Sequence, residues 1–174
     1  AAGDGTITAA SGETDVQSVF GSKNLTVSGN TITLNDDLEV AAPVTFAGGD
    51  WTLDLNGHTL SASVGKNVLF VTGGSLIVQD SGNDGTIVGG SSKTDDTGTY
   101  RSGDGIRVSG GALTVKSGTI IGGGGQKDVG LTGNGIHVTG GTVTVEGGTI
   151  IAGPGTPNSF ENAGIYIQIR WNRL

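Results

Sequence analysis

The sequence predicts an all-β fold in which short parallel strands stack coil upon coil around one shared interior. A segment that begins at Gly105 recurs from Gly135, 30 positions later, and a third copy begins at Gly164. Glycine supplies 35 of the 174 residues, whereas its usual share is about 7%. Short runs of Val, Ile and Leu alternate with these glycines. Strands this short bury a face only when copies stack, which indicates a solenoid of about four to five coils.

The repeats differ in length but not in pattern. Paired glycines begin at Gly48, Gly73, Gly110 and Gly140, with separations of 25, 37 and 30 residues. A constant pattern with a variable period indicates constant strands that are joined by loops of different length. Glycine at the corners supplies backbone geometries that residues with a Cβ resist.

Each repeat contains three short segments rich in β-branched residues, which predict three parallel sheets. The first strand of each coil is expected at Trp51–Leu55, Leu76–Val78, Leu113–Val115 and Val143–Val145. The second is expected at Thr59–Leu60, Thr86–Val88, Thr119–Ile121 and Thr149–Ile151. The third is expected at Val68–Val71, Ile106–Val108, Ile136–Val138 and Ile165–Ile167. Stacking at about 4.8 Å makes equivalent residues vertical neighbours.

A short helix is expected before the first coil. Residues Asp15–Phe20 predict one helical turn, with Thr14 or Asp15 as its N-cap. The first strands are expected at Leu25–Val27 and Thr31–Leu34, because both segments carry the β-branched residues that strands favour.

Composition and charge exclude several classes of protein. Sixteen acidic residues against nine basic ones give a formal net charge of −7, which disfavours a nucleic-acid partner. The chain contains no Cys, so disulfides and thiolate metal sites are excluded. Its longest apolar runs span only a few residues, so we expect no membrane insertion. The regular apolar pattern argues against disorder.

Two phrases carry a resemblance to a known repeat. These are Leu53–Leu60, with the letters LDLNGHTL, and Gly133–Val138, with GNGIHV. Both are similar to phrases in the β-helix repeats of large bacterial surface and secreted proteins. Across nearly the whole chain, the pattern resembles the right-handed parallel β-helix of the pectin-lyase-like type. That fold supports lyases, hydrolases, tailspikes and adhesins, so the resemblance implies a fold rather than one activity.

We expect one domain, residues 1–174, that forms a piece of a larger protein. Residues 1–24 are expected to form an N-terminal cap, 25–167 the coils, and 168–174 a tail outside the repeat. The resemblance implies that the helix covers the N-terminal end of the core, and that the protein is extracellular or at the surface of a bacterium. No capping element is expected after the last coil, so its open edge predicts self-association or a longer polypeptide.

One outward side chain per coil forms a row along the third sheet. Ile106 and Val108 are expected to point inward, so Arg107 points outward. The equivalent positions in the stacked coils are Thr45, Phe70, Arg107, His137 and Tyr166. Aromatic rings can stack on sugar rings, and a basic group can bind their hydroxyls or carboxylates. The row therefore predicts a glycan-binding face, although a decorated solvent face remains an alternative.

Extra chain length falls at one corner, between the second and third strands. The corner loops are Ser91–Asp104, Gly123–Asn134 and Gly153–Ala163. Loops on a rigid scaffold often bind ligands, although insertions at a corner can also be merely tolerated. The ligand-binding residues that we predict from the row and the loops are Phe70, Tyr100, Arg101, Arg107, His137 and Tyr166.

The corner loops also contain the only weak candidates for catalysis. Glycoside hydrolysis needs two carboxylates on opposite sides of the bond, and Asp95, Asp96 and Asp104 are the candidates here. Gly103–Ile106 is similar to the Asp-Gly phrase of β-helix galacturonan hydrolases, but the other signatures of that family are missing. We therefore expect no catalytic residue, and a lyase or hydrolase acting on acidic polysaccharide is the alternative function.

Calcium is the one cofactor that the sequence brings into question. Asp80 and Asp84 lie in a segment that partly fits a calcium-binding loop, but the pattern lacks its downstream Glu. Asp95 and Asp96 with Asp104 form a second acidic group. An Asx-type corner explains Asp80 as well, so no metal or other cofactor is predicted.

A second outward set predicts a partner surface or, equally, a surface that is covered by a loop or by the tail Ile169–Leu174. Leu60, Ile87, Ile120 and Ile150 are expected to face inward, which turns three apolar residues outward. These residues, the apolar stripe, are Val88, Ile121 and Ile151. The main hypothesis is a non-catalytic, adhesin-like scaffold that binds a glycan. A purely structural spacer, associating through the stripe or the open coil, is a further alternative.

Overall fold

The structure is a computed structural model. It describes residues 5–94, 100–125, 132–155 and 163–168, without the side chains of residues 93, 94, 100 and 101. The elements up to the second coil are β1 (Thr6–Ile7), α1 (Glu13–Phe20), β2 (Leu25–Ser28), β3 (Thr31–Leu34), β4 (Leu38–Val40), β5 (Val44–Phe46), β6 (Asp50–Asp54), β7 (Thr59–Ala62) and β8 (Leu69–Val71). The third coil contains β9 (Ser75–Gln79), β10 (Thr86–Val88), β11 (Lys93–Thr94), β12 (Tyr100–Arg101) and β13 (Ile106–Val108). The last elements are β14 (Ala112–Val115), β15 (Thr119–Ile121), β16 (Ile136–Val138), β17 (Thr142–Val145), β18 (Thr149–Ile151) and β19 (Ile165–Ile167).

Three sheets run along the stack, one on each side of the coil. Their strand orders are β2-β3-β6-β9-β14-β17 for the first sheet, β4-β7-β10-β15-β18 for the second and β1-β5-β8-β13-β16-β19 for the third. Within these sheets, every pair is parallel except β2 and β3. The described strands complete five coils, so the predicted parallel β-helix is confirmed. No helix in the described part of the chain has the length and hydropathy needed to cross a membrane.

The N-terminal end departs from the prediction in three ways. The N-cap of α1 is Gly12, not Thr14 or Asp15, and the Asp15 carboxylate accepts the Gly12 N–H at 2.9 Å. Asp15 therefore satisfies a helix-end donor from inside the first turn. An additional strand, β1, precedes in sequence the first strand that we expect, at Leu25, and it pairs with β5. Strand β2 pairs antiparallel with β3.

Helix α1 covers the N-terminal end of the core. Val16 and Phe20 are buried in the main hydrophobic cluster. The helix contacts β1 and β2, which are the edge strands of two sheets at this end. It therefore shields apolar side chains of the core at this end of the stack.

The core is a column of inward-facing aliphatic side chains. In the first sheet, for example, Leu53, Val78 and Val115 are vertical neighbours and are fully buried. Full burial of such a side chain stabilises the fold by about 1.5–3 kcal/mol. Trp51 adds a large ring near the cap, and its indole N–H donates to the Thr8 carbonyl at 3.3 Å.

The corner before each first-sheet strand requires glycine. Gly111 has a φ of +69°, a conformation that favours glycine. A Cβ at Gly110 would lie 2.5 Å from the Thr72 carbonyl oxygen of the preceding coil. The constant glycine pair thus reflects both a left-handed backbone and the close approach of successive coils.

A second series of glycines, the glycine ladder, closes the stems of the corner loops. Backbone N–H groups donate along the stack from Gly90 to Lys66, Gly103 to Gly90, Gly123 to Gly103, Gly133 to Gly123 and Gly153 to Gly133, with N–O distances of 2.8–2.9 Å. Outgoing and incoming stems alternate in this chain of hydrogen bonds. Beyond the first stem, β11 and β12 form an antiparallel pair. The ladder therefore fixes where each loop leaves the coil.

Gly103→Ala should strongly destabilise the protein although its φ is ordinary, because a Cβ there would overlap the Lys66 carbonyl. The stems would have to separate, and we expect a loss of about 3 kcal/mol or more in the free energy of unfolding. Gly124→Ala in the neighbouring stem is the matched control, since its Cβ would meet Pro154 at an ordinary 3.4 Å. Denaturant unfolding monitored by circular dichroism measures both, and equal losses would contradict the ladder's role.

Candidate functional site

The outward row lies in register along the third sheet, as predicted. Thr45 pairs with Phe70, Phe70 with Arg107, Arg107 with His137, and His137 with Tyr166. Each strand places the next member beside the last because its flanking residues face the core. Five coils thus bring together side chains that are 25 to 37 residues apart in sequence.

The C-terminal half of the outward row combines a free cation with two rings. Arg107 is exposed and makes no hydrogen bond or ion pair within the described residues. His137 and Tyr166 meet edge to face, with ring centroids 5.0 Å apart and an interplanar angle of 66°. Phe70, on the other side of Arg107, is half-buried. The row can therefore offer a guanidinium donor between aromatic surfaces.

A ladder of short polar side chains, the polar ladder, runs behind the outward row. Its members are Asn67, Asp104 and Asn134. Each side-chain oxygen accepts the backbone N–H of the equivalent position in the next coil: Asp104 N–H at 2.6 Å, Asn134 N–H at 2.8 Å and Ala163 N–H at 3.0 Å. These N–H groups lie at the ends of the corner loops, where no strand pairs them. The ladder satisfies donors that would otherwise be buried without partners.

Unlike Asn67 and Asn134, Asp104 has a second side-chain oxygen, and this oxygen makes a further contact. Oδ2 lies 3.2 Å from Nδ1 of His137, and Oδ1 also accepts the Asn134 side-chain N–H at 3.3 Å. Both the carboxylate and the imidazole are largely buried. Because an ionised carboxylate only accepts, the contact places a proton on Nδ1 of His137. Asp104 therefore orients a member of the row.

The polar ladder was missed by sequence reasoning, although a signal for it exists. Asn67, Asp104 and Asn134 each lie two positions before the first residue of a third-sheet strand. The sequence instead makes Asp104 a weak catalytic candidate. In the structure, its carboxylate holds groups of the protein itself.

The predicted loop site lies partly outside the described residues. Tyr100 and Arg101 form β12, but their side chains are outside the described part, and Asp95 and Asp96 are outside the described residues. The described stems do locate the loops, since Asp104 ends the first loop and contacts His137. The loops therefore leave the coil beside the outward row.

The loop considered for calcium is organised by hydrogen bonds from backbone N–H groups to the Asp80 carboxylate. Asp80 Oδ1 accepts N–H groups from Gly57 at 2.7 Å and Gly82 at 3.2 Å, and Oδ2 accepts the Gly85 N–H at 2.9 Å. Asp84 takes a left-handed turn with φ +69°. The arrangement is an Asx-type corner. Within the described residues, no three His, Asp or Glu side chains are grouped so as to hold a metal ion.

The apolar stripe is also in register. Val88 pairs with Ile121 and Ile121 with Ile151. The first two are half-buried, and Ile151 on the last coil is exposed. The exposed apolar area thus lies toward the C-terminal end.

Asp54 is a buried carboxylate at the end of β6, at the corner between the first and second sheets. Burial raises its pKa, but hydrogen bonds from the Ser81 N–H, the Gln79 side chain and the Asn56 N–H outweigh this, so the pKa of Asp54 lies below its usual value. A lowered folded-state pKa stabilises the fold above the unfolded-state value of about 3.9, and this stabilisation is lost as the pH falls through the folded-state pKa.

Asp54→Asn should therefore lower stability at pH 7 by about 1–2 kcal/mol, because charge-assisted hydrogen bonds are lost. The difference from the unchanged protein should shrink as the pH is lowered below about 4. Thermal unfolding across this pH range measures it. Asp50→Asn, at an exposed position in the same strand, is the control. A deficit that is constant from pH 7 to acid pH would contradict the assignment.

Substitutions at Asp104 should separate its two roles. Asp104→Asn keeps an acceptor for the Asn134 N–H, as Asn67 and Asn134 do in their own coils, and should cost less than about 1 kcal/mol. Asp104→Ala leaves that N–H buried without a partner and should cost about 1–3 kcal/mol.

Unfolding measurements compare the two variants, and ¹⁵N NMR of the imidazole reports the tautomer of His137. Only the unchanged protein should show a single Nδ1–H form. An unaltered tautomer in Asp104→Asn would mean that Asp104 does not orient His137.

No protein-family model, curated protein or solved structure matches the chain.

Proposed function

We propose that this chain is a non-catalytic scaffold of a bacterial cell-surface or secreted protein that binds glycans, an adhesin-like module with a pectin-lyase-like β-helix. The single observation that supports glycan binding is Arg107, an exposed cation without a partner in the described residues, held in register between Phe70 and His137. Ligand sites for sugars combine such a polar anchor with apolar ring surfaces.

Rigidity supports the proposal further. The backbone under the outward row is paired on both sides from β5 to β16, and the polar ladder fixes the loop ends beside it. A row that is ordered before binding loses little conformational entropy when a ligand arrives. The guanidinium fork suits acidic sugars, because it can donate two hydrogen bonds to one carboxylate.

Asp104 does not favour the hydrolase alternative. A general acid must be free to give a proton to the leaving group, whereas both Asp104 oxygens are engaged by Asn134 and His137. The scaffold function is therefore the better supported of the two.

Arg107→Ala should weaken binding to an acidic oligosaccharide, such as oligogalacturonate, by about 10-fold or more, because the charge-assisted hydrogen bonds are lost. Tyr166→Ala should weaken the binding of both acidic and neutral glycans. Lys116→Ala is the matched control, since this exposed cation follows β14 in the first sheet. Glycan-array binding followed by calorimetry on the bound glycan gives the affinities.

Two outcomes would overturn the proposal. Equal losses in Arg107→Ala and Lys116→Ala would indicate nonspecific charge attraction. Release of unsaturated or reducing ends from galacturonan, abolished by Asp104→Asn, would instead identify an enzyme.

A further inference from the structure

The two ends of the solenoid differ in the elements that lie over the last strands. At the C-terminal end, β17, β18 and β19 are the last strands of the three sheets. Each has a partner on one side only within the described residues. Half of the N–H and C=O groups of such an edge strand point away from the sheet and can pair with another strand.

Core-facing side chains are uncovered at the same end. In one column of the third sheet, Val108 is fully buried and Val138 is 8% exposed, whereas the next member, Ile167, is 62% exposed. In the first sheet, Val115 is fully buried and its neighbour Val145 is 45% exposed. Among the residues that the structure describes, the end of the stack thus presents the interior of the solenoid, framed by three strand edges. We call this surface the open end.

The opposite end of the solenoid carries a helix. Helix α1 contacts β1 and β2, the edge strands of two of the three sheets there, and its Val16 and Phe20 are buried in the core. Head-to-tail stacking of two copies would require the helix to leave. The surface of this chain that presents matching strand edges is therefore the open end of a second copy.

Charge favours the contact of two identical ends. Across the described residues 139–155 and 163–168, Glu146 is the single charged side chain, in a protein whose formal net charge is −7. Two copies can therefore approach at this surface with little like-charge repulsion.

We propose that two copies of the chain associate through their open ends, about a twofold axis perpendicular to the solenoid axis. This symmetry reverses the direction of the coil in the second copy, so the facing strand edges meet antiparallel. Ile167 and Val145 of each copy become buried at the centre of the contact. A twofold contact of this kind is closed, because it pairs the same surface of both copies.

The oligomeric state of the chain tests this proposal. Analytical ultracentrifugation across micromolar to submillimolar concentrations should show a monomer–dimer equilibrium. Ile167→Glu should raise the dimer dissociation constant by about 100-fold or more, because it places a charge at the centre of the contact. Val64→Glu is the matched control: Val64 is 49% exposed but lies in the second coil, away from the open end, and this substitution should leave the constant unchanged.

A second measurement does not depend on a variant that must fold. Hydrogen exchange of the unchanged chain should slow with concentration at the amides of β17, β18 and β19, and not at those of α1. A strict monomer at the highest concentration, concentration-independent exchange at these strands, equal effects of the two Glu substitutions, or open-ended filaments would each overturn the proposal. None of these results depends on glycan binding, so the two proposals fail separately.

Discussion

Backbone pairing between successive coils is the interaction on which the rest of the structure depends. No local force holds His137 beside Tyr166, which is 29 residues later; the parallel register of β16 and β19 does so. A slip of one residue in β13 would turn Arg107 into the core and Val108 into solvent. Burying an unpaired guanidinium costs several kcal/mol, so the alternation of side chains and the register reinforce each other. The outward row exists only because both are kept along the stack.

Three buried or half-buried carboxylates in the described part of the chain join backbone segments of neighbouring coils. Asp54 accepts the Ser81 N–H from the next coil, Asp80 the Gly57 N–H from the previous one, and Asp104 the Asn134 N–H. Corners interrupt strand pairing and leave N–H groups without backbone acceptors, and an acidic side chain supplies one from outside. Acidic residues at the corners of a solenoid are thus explained by backbone chemistry before any catalytic or metal-binding role is needed.

The sequence predicts those parts of the fold in which a single physical cause determines the type of residue at each position. The three short segments of each repeat place the three sheets correctly, and the alternation in Ile106–Val108 and its copies places the outward row. Prediction fails where a residue acts at a distance or through sterics alone. The N-cap is Gly12 because Asp15 reaches back to its N–H, and Gly103 lacks a side chain because the Lys66 carbonyl occupies that space. The contact of Asp104 with His137 needed three-dimensional proximity, although the recurrence of Asn or Asp before each third-sheet strand was visible in the sequence.

Because of the glycine ladder, the geometry of the coils does not depend on the length or the sequence of the corner loops. Twelve residues lie between Gly90 and Gly103 and nine between Gly123 and Gly133, yet both pairs sit in the same chain of hydrogen bonds. The entropic difference between closing loops of these two lengths is only about 0.3 kcal/mol. Substitution, insertion and deletion between two such stems therefore leave the underlying coils in place. The residues exposed at this corner can therefore change, in evolution or by design, while the stack of coils beneath them stays the same.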